Sequence, residues 1–140
     1  MAIRIPPHNM EAEQSILGGL MVDPYAFDQA SAHIKEDDFY KPAHRKIYNA
    51  ISVLYAKSQP IDIITVSNYL TESRDLDAIG GPAYLAEVMN STPTAAHVEQ
   101  YAKIVKEKAL LRTLIHMSGE IVEKAYSESY ENVEGFLDEV

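Results

Sequence analysis

Residues 95–127 read AAHVEQYAKIVKEKALLRTLIHMSGEIVEKAYS. Neither glycine nor proline interrupts this run before Gly119, and it is rich in Ala, Leu, Glu and Lys, all good helix formers. A single helix of about 33 residues would be roughly 50 Å long. The residues before it could build a globule only about 30–35 Å across. A helix of that length overhangs its own domain. At about 100° per residue, Val98, Tyr101, Ala102, Val105 and Ala109 share one face. Leu111, Leu114, Ser118, Ile121, Val122 and Ala125 fall on roughly the opposite one. The apolar side changes over between Ala109 and Leu111, so the first half is expected to dock on the domain and the second half on something else. The alternative is one bent helix wrapped within a single core.

The sequence upstream punctuates itself into short helices. Ile5-Pro6-Pro7 is an extended lead-in. Asn9 is a fair N-cap, with Glu11 and Glu13 suited to the positive end of a helix that carries Ala12, Ile16, Leu17, Leu20 and Met21 inward. Gly18-Gly19 lies inside that helix. Each glycine costs about 1 kcal/mol relative to alanine there, so the pair points to close packing against another helix or to a kink, not to a phosphate cradle. Asp23-Pro24 opens a second helix running to about His33, with Phe27 and Ala30 inward. Glu36-Asp37-Asp38 forms a turn into Phe39-Tyr40. Pro42 opens a third helix with Ala43, Ile47, Ala50, Ile51 and Leu54 on one stripe, stopped by Gln59-Pro60. Ile61 to Val66 could be a strand by composition, but a lone strand lacks a partner. It reads instead as an extended lead into a helix from Thr65 to Ser73. Leu76 to Ile79 is a turn of helix ended by Gly80-Gly81. Pro82 starts another, and Thr94 caps the long one. After Ser127 a polar link leads to Val133, Phe136, Leu137 and Val140, a helical stripe cut off at the last residue. The expected fold is all-α: a small multi-helix head, residues 1–94, followed by a helical hairpin, residues 95–140, whose second helix is truncated.

Composition narrows the function. The chain has 140 residues, enough for one domain, and no cysteine, which removes disulfides, thiolate nucleophiles and Cys-type zinc sites. No basic-then-apolar leader opens it and no apolar run approaches membrane-spanning length; the expected location is the cytoplasm. The formal net charge of −9 argues against a standalone nucleic-acid binder. Lys103, Lys106, Lys108 and Arg112 therefore read as a solvated face, and a DNA-binding module built on Lys103, Lys106 and Arg112 is the weaker reading. Glu99 with Lys103, and Glu120 with Lys124, have the spacing of favourable helix pairs. No phosphate-loop or dinucleotide pattern occurs. The five histidines have no metal-ligand spacing. His44 reads as a surface or half-buried packing residue, and Glu11, Glu13, Asp37 and Asp38 as cap or surface charges, so no catalytic residue, cofactor or metal is expected. The nine tyrosines divide into core-capping ones (Tyr48, Tyr55, Tyr69, Tyr101) and interface candidates (Tyr84, Tyr126, Tyr130).

Several blocks carry a resemblance. Pro6-Pro7-His8-Asn9-Met10-Glu11-Ala12-Glu13-Gln14-Ser15-Ile16-Leu17-Gly18-Gly19 resembles the opening signature of bacterial DnaB-family replicative DNA helicases. So do Phe39-Tyr40-Lys41-Pro42-Ala43-His44-Arg45-Lys46-Ile47-Tyr48, Pro60-Ile61-Asp62 with Thr65-Val66, Gly80-Gly81-Pro82-Ala83-Tyr84-Leu85 and Thr92-Pro93-Thr94-Ala95-Ala96, in order across nearly the whole chain. The resemblance implies the N-terminal domain of a hexameric ring helicase, pairing through its hairpin, recruiting primase, and open to a helicase loader as a further partner. Its ATP, Mg and unwinding belong to a RecA-like C-terminal domain absent here. Leu111, Leu114, Ile115, Met117, Ile121, Val122 and Tyr126 are the candidates for self-association or partner packing. The resemblance further marks Tyr84, Ile115 and Ile121 as facing the primase C-terminal domain. A standalone helical adaptor is the alternative.

Overall fold

The computed structural model describes residues 4–92, 94–127 and 133–139. Eight α-helices and two 3-10 turns make up the described residues, with no strand among them. Asn9 accepts a hydrogen bond from the Ala12 amide at 2.9 Å and opens α1 (Met10–Val22). A 3-10 turn at Pro24–Ala26 leads into α2 (Phe27–Ser31), and a second at Glu36–Asp38 leads to α3 (Pro42–Ala56). Then come α4 (Ile63–Glu72), α5 (Leu76–Ile79), α6 (Gly81–Asn90), α7 (Val98–Tyr126) and α8 (Val133–Glu139). The α5–α6 joint needs left-handed backbone at Gly80, φ 106°, and Gly81, φ 74°.

The centre of the head is α1. Ala12, Glu13 and residues 16–21 are all buried, so this helix is enclosed on nearly every side, as a core helix rather than a one-faced surface helix. It packs against α7, α6 and α3. The paired glycines explain how two neighbours come so close. A Cβ on Gly18 would run into the Thr92 side chain and lie 2.6 Å from the Val88 carbonyl oxygen, and one on Gly19 would lie 2.6 Å from Val98. Of the two readings of Gly18-Gly19, close packing is the one realised.

Three boundaries differ from the expectation. The fourth helix starts at Ile63, not Thr65, because Asp62 accepts from the Thr65 amide while the Thr65 hydroxyl accepts from the Asp62 amide, both at 2.9 Å. The long helix starts at Val98. Thr94 instead accepts from the Ala96 amide at 3.1 Å, capping the turn before it. The second helix stops at Ser31. Tyr130 and Val140 lie outside the described residues.

Candidate functional site

The 29 residues of α7 span roughly 43 Å and divide in two. Val98, Ala102, Val105 and Ala109 are buried against α1 and α2. Beyond Ala109 the floor ends. Leu110, Leu111, Leu114, Ile115, Met117 and Val122 are each about half exposed, Leu114 at 60% and Ile115 at 58%, and Tyr126 stands out at 83%. Of the residues expected to form the association surface, only Ile121 is partly covered. It lines a small groove with Met117, Glu120 and Lys124 of α7 and Phe136 and Glu139 of α8. The second hairpin helix thus folds back against the first, with Phe136 turned inward and Val133 and Leu137 exposed. Leu110 belongs to the exposed set and was not foreseen. Glu99 pairs with Lys103 at 3.9 Å, and Glu120 pairs with His116 at 3.1 Å.

The basic cluster is not simply a solvated face. Lys106 pairs with the Asp38 carboxylate at 3.3 Å. The Arg112 guanidinium donates to the Pro7 carbonyl at 2.8 Å and to the Asp38 carbonyl at 2.7 Å. All three residues proposed for DNA contact have partners within the protein, Lys106 and Arg112 on the head and Lys103 on Glu99 of its own helix.

Tyr84 sits on α6, on a different element from Ile115 and Ile121, and its hydroxyl is drawn inward. Glu13, 1% exposed, and His44, fully buried, correct the expectation of surface groups at both positions. His44 Nδ1 lies 2.7 Å from Glu13 Oε1, and His44 Nε2 lies 2.6 Å from the Tyr84 hydroxyl. The backbone amides of Tyr40 and Lys41 donate to the same carboxylate at 2.7 and 3.3 Å. Gln14 donates to the Tyr84 oxygen at 3.2 Å. A neutral His44 with its proton on Nδ1 satisfies every group: it donates to Glu13 and accepts from Tyr84. No buried side-chain polar atom among the described residues lacks a partner. Glu13, His44 and Tyr84 resemble an acid–base relay in their order, but their bonds are spent on one another and on backbone, and they pin α1, α3 and α6 together. A signal for this was present in the sequence. Glu13 is in phase with Ile16, Leu17 and Leu20, and His44 with Ile47, Tyr48 and Ile51, so both polar residues lie inside apolar stripes.

Electrostatics elsewhere is local. Burial, with the Asp38 carboxylate adding, pushes the Tyr48 hydroxyl up to about 12. The hydrogen bond from Lys46 holds Asp75 below the usual carboxylate range. No cluster of three His, Asp or Glu among the described residues could hold a metal ion, and none of their helices is long and apolar enough to cross a membrane.

This is an all-helical domain from which a helical hairpin projects with its apolar side uncovered. The chain belongs to the DnaB-like helicase N-terminal domain family, whose profile matches residues 5–107. It is 45% identical over 136 residues to the replicative DNA helicase DnaC of Bacillus subtilis, an alignment covering 97% of this chain and 30% of that protein. The fold is similar to the crystal structure of the N-terminal domain of DnaB helicase from Mycobacterium tuberculosis, with a TM-score of 0.89 and 37% identity over 96% of this chain and 94% of that one. It also matches in fold the N-terminal domain of DnaB helicase from Helicobacter pylori, described with its interactions with primase, at a TM-score of 0.74 and 19% identity over 84% of this chain and 91% of that one. The chain spans 30% of the length of the full-length B. subtilis relative.

Proposed function

We propose that this chain is the oligomerisation and primase-interaction domain of a replicative DNA helicase acting in the cytoplasm, and that it is itself non-catalytic. Its working units are a head, residues 1–94, and a hairpin, residues 95–140, rooted in the head through the inner half of α7. Copies pair through Leu111, Leu114, Ile115, Met117, Ile121, Val122 and Tyr126, within a hexameric parent. The primase C-terminal domain uses part of the same surface, around Ile115 and Ile121, with Tyr84 acting from the head. ATP and Mg serve a separate C-terminal domain, and a helicase loader is a further partner. What supports this reading above all is the outer half of α7, which leaves six large apolar side chains from Leu110 to Val122 about half exposed. A contiguous apolar patch of that kind on a folded domain marks an interaction site. A two-fold contact uses the same patch on both copies. Family membership disfavours the standalone-adaptor alternative. The engagement of Lys106 and Arg112 within the protein favours little direct DNA binding.

Sedimentation of the chain alone, and with a primase C-terminal domain, tests the proposal. The expected result is a concentration-dependent dimer and a complex with primase. Leu114→Asp and Ile121→Asp are expected to weaken one or both at least about tenfold, a loss of roughly 1.4 kcal/mol, with helicity kept. A monomer at all concentrations that also ignores primase would defeat it.

A further inference from the structure

The geometry assigns to Arg112 the task of fixing the direction in which the outer half of α7 leaves the head. Val105, Ala109 and Arg112 follow one another on the docked face at spacings of four and three. The first two are buried; the third continues the stripe as a charged fork where the apolar floor has ended. One arm of that fork reaches the Pro7 carbonyl, in the extended lead-in before α1. The other reaches the Asp38 carbonyl, at the end of the 3-10 turn before α3. These anchors lie in separate segments, so together they resist rotation of the helix in a way that one hydrogen bond does not. A planar guanidinium holding two acceptors at once loses little freedom per bond formed.

The anchors are themselves braced. The Arg112 guanidinium lies over the Tyr40 ring, 5.4 Å from its centroid. Tyr40 in turn stacks on His8 at 4.3 Å with the rings 13° apart. Lys106, almost two turns back along α7, holds the Asp38 side chain. The lead-in therefore works as a strap across the root of the projecting helix, and Arg112 is its buckle. The 14 residues beyond it, 113–126, form a lever roughly 21 Å long, on which a swing of about 10° at the root moves the tip about 4 Å. Such a displacement is large against the fit of two packed helix faces. The consequence for association rests on the function proposed above; the positioning itself does not.

Because the chain has no cysteine, two spin labels can be placed without background. Lys57→Cys marks the head and Glu123→Cys marks the polar side of the overhang; both positions are exposed. Doubly labelled protein is mixed with excess unlabelled protein so that only distances within one copy are read. The expected result is a narrow distance distribution for the parent and a clearly broader one for Arg112→Ala, with helicity unchanged. Arg112→Lys is expected to be as broad as Arg112→Ala, since an ammonium keeps the charge but not the fork. Association measured on the unlabelled Arg112→Ala chain is expected to weaken about fivefold or more, the scale of ordinary coupling between sites. An unchanged distribution in Arg112→Ala overturns the assignment, and a parent-like Arg112→Lys overturns the role of the fork. A broadened distribution with undiminished association supports the clamp and counts instead against the paired-face reading of the stripe.

Discussion

The inner and outer halves of α7 are one unbroken helix with opposite environments. From Val98 to Ala109, Val98, Ala102, Val105 and Ala109 are buried and Tyr101 and Ile104 partly so, where the helix packs on α1 and α2; from Leu110 to Tyr126 most of the equally apolar residues stand in solvent. Propensity and composition do not separate them, since both are rich in good helix formers. The difference lies in which face is apolar, and in whether the head has anything to put beneath it. The inner half is part of the domain's stability. The outer half adds little to it, and its apolar residues acquire an energetic role only when another molecule covers them.

The sharpest way to break this comparison is to place the same charge in both halves. Val105→Asp buries a carboxylate with no partner at a position 1% exposed, and is expected to cost more than about 4 kcal/mol. Leu114→Asp changes a position 60% exposed and is expected to alter the stability of the separated protomer by no more than about 0.5 kcal/mol. Urea titration at low protein concentration, where pairing does not contribute, measures both. Comparable losses would mean that the outer half is held by the head after all.

A charge at the centre of the head behaves in the reverse sense, because its partners are built in. Glu13→Ala leaves the buried His44 Nδ1 and the part-buried amides of Tyr40 and Lys41 without their acceptor. Three donors lose their acceptor, at roughly 1–3 kcal/mol for each one left unpaired, so the expected loss is about 3–5 kcal/mol; Glu13→Gln, which keeps an acceptor oxygen, is expected to lose less. If thermal unfolding of Glu13→Ala moves by less than a few degrees, the network does not hold the helices together. Gly18→Ala tests the same region by bulk instead of charge. Its Cβ meets the Val88 carbonyl as well as Thr92, so α1 and α6 must part, at an expected cost of about 1–3 kcal/mol.

The sequence revealed these features unequally. The two faces of α7 and the close approach at Gly18-Gly19 could be read directly, because periodicity and glycine placement are local properties. The Asp62–Thr65 capping box was local too, but a β-branched run, Ile61 to Val66, masked it by resembling a strand. Glu13 reads as a first-turn charge because Glu11 and Asn9 beside it fit that role. Its burial depends on His44, 31 residues away, and no local rule contains that pairing. Arg112 failed to stand out for a related reason: its acceptors are backbone carbonyls 105 and 74 residues away, and a carbonyl leaves no mark in a sequence. The central place of α1 was also hidden, because a helix buried nearly all round shows only a weak one-sided pattern.

The smallest expected effect is the most discriminating, because stability and association should move in opposite directions. Gly119 lies in the exposed half of α7, and a Cβ there would touch none of the described residues within 4 Å. Among the described residues nothing requires glycine at this position, in contrast to Gly18 and Gly19, where neighbouring atoms forbid a side chain. Gly119→Ala should therefore stabilise the protomer by about 1 kcal/mol through helix propensity alone. If a second helix crosses closely at Gly119, the same methyl group obstructs it, and pairing weakens while the protomer gains stability. Urea titration at low concentration reads the first effect and sedimentation the second. A variant that is both more stable and at least as well associated would place Gly119 outside the contact and move the crossing toward Leu111 and Leu114.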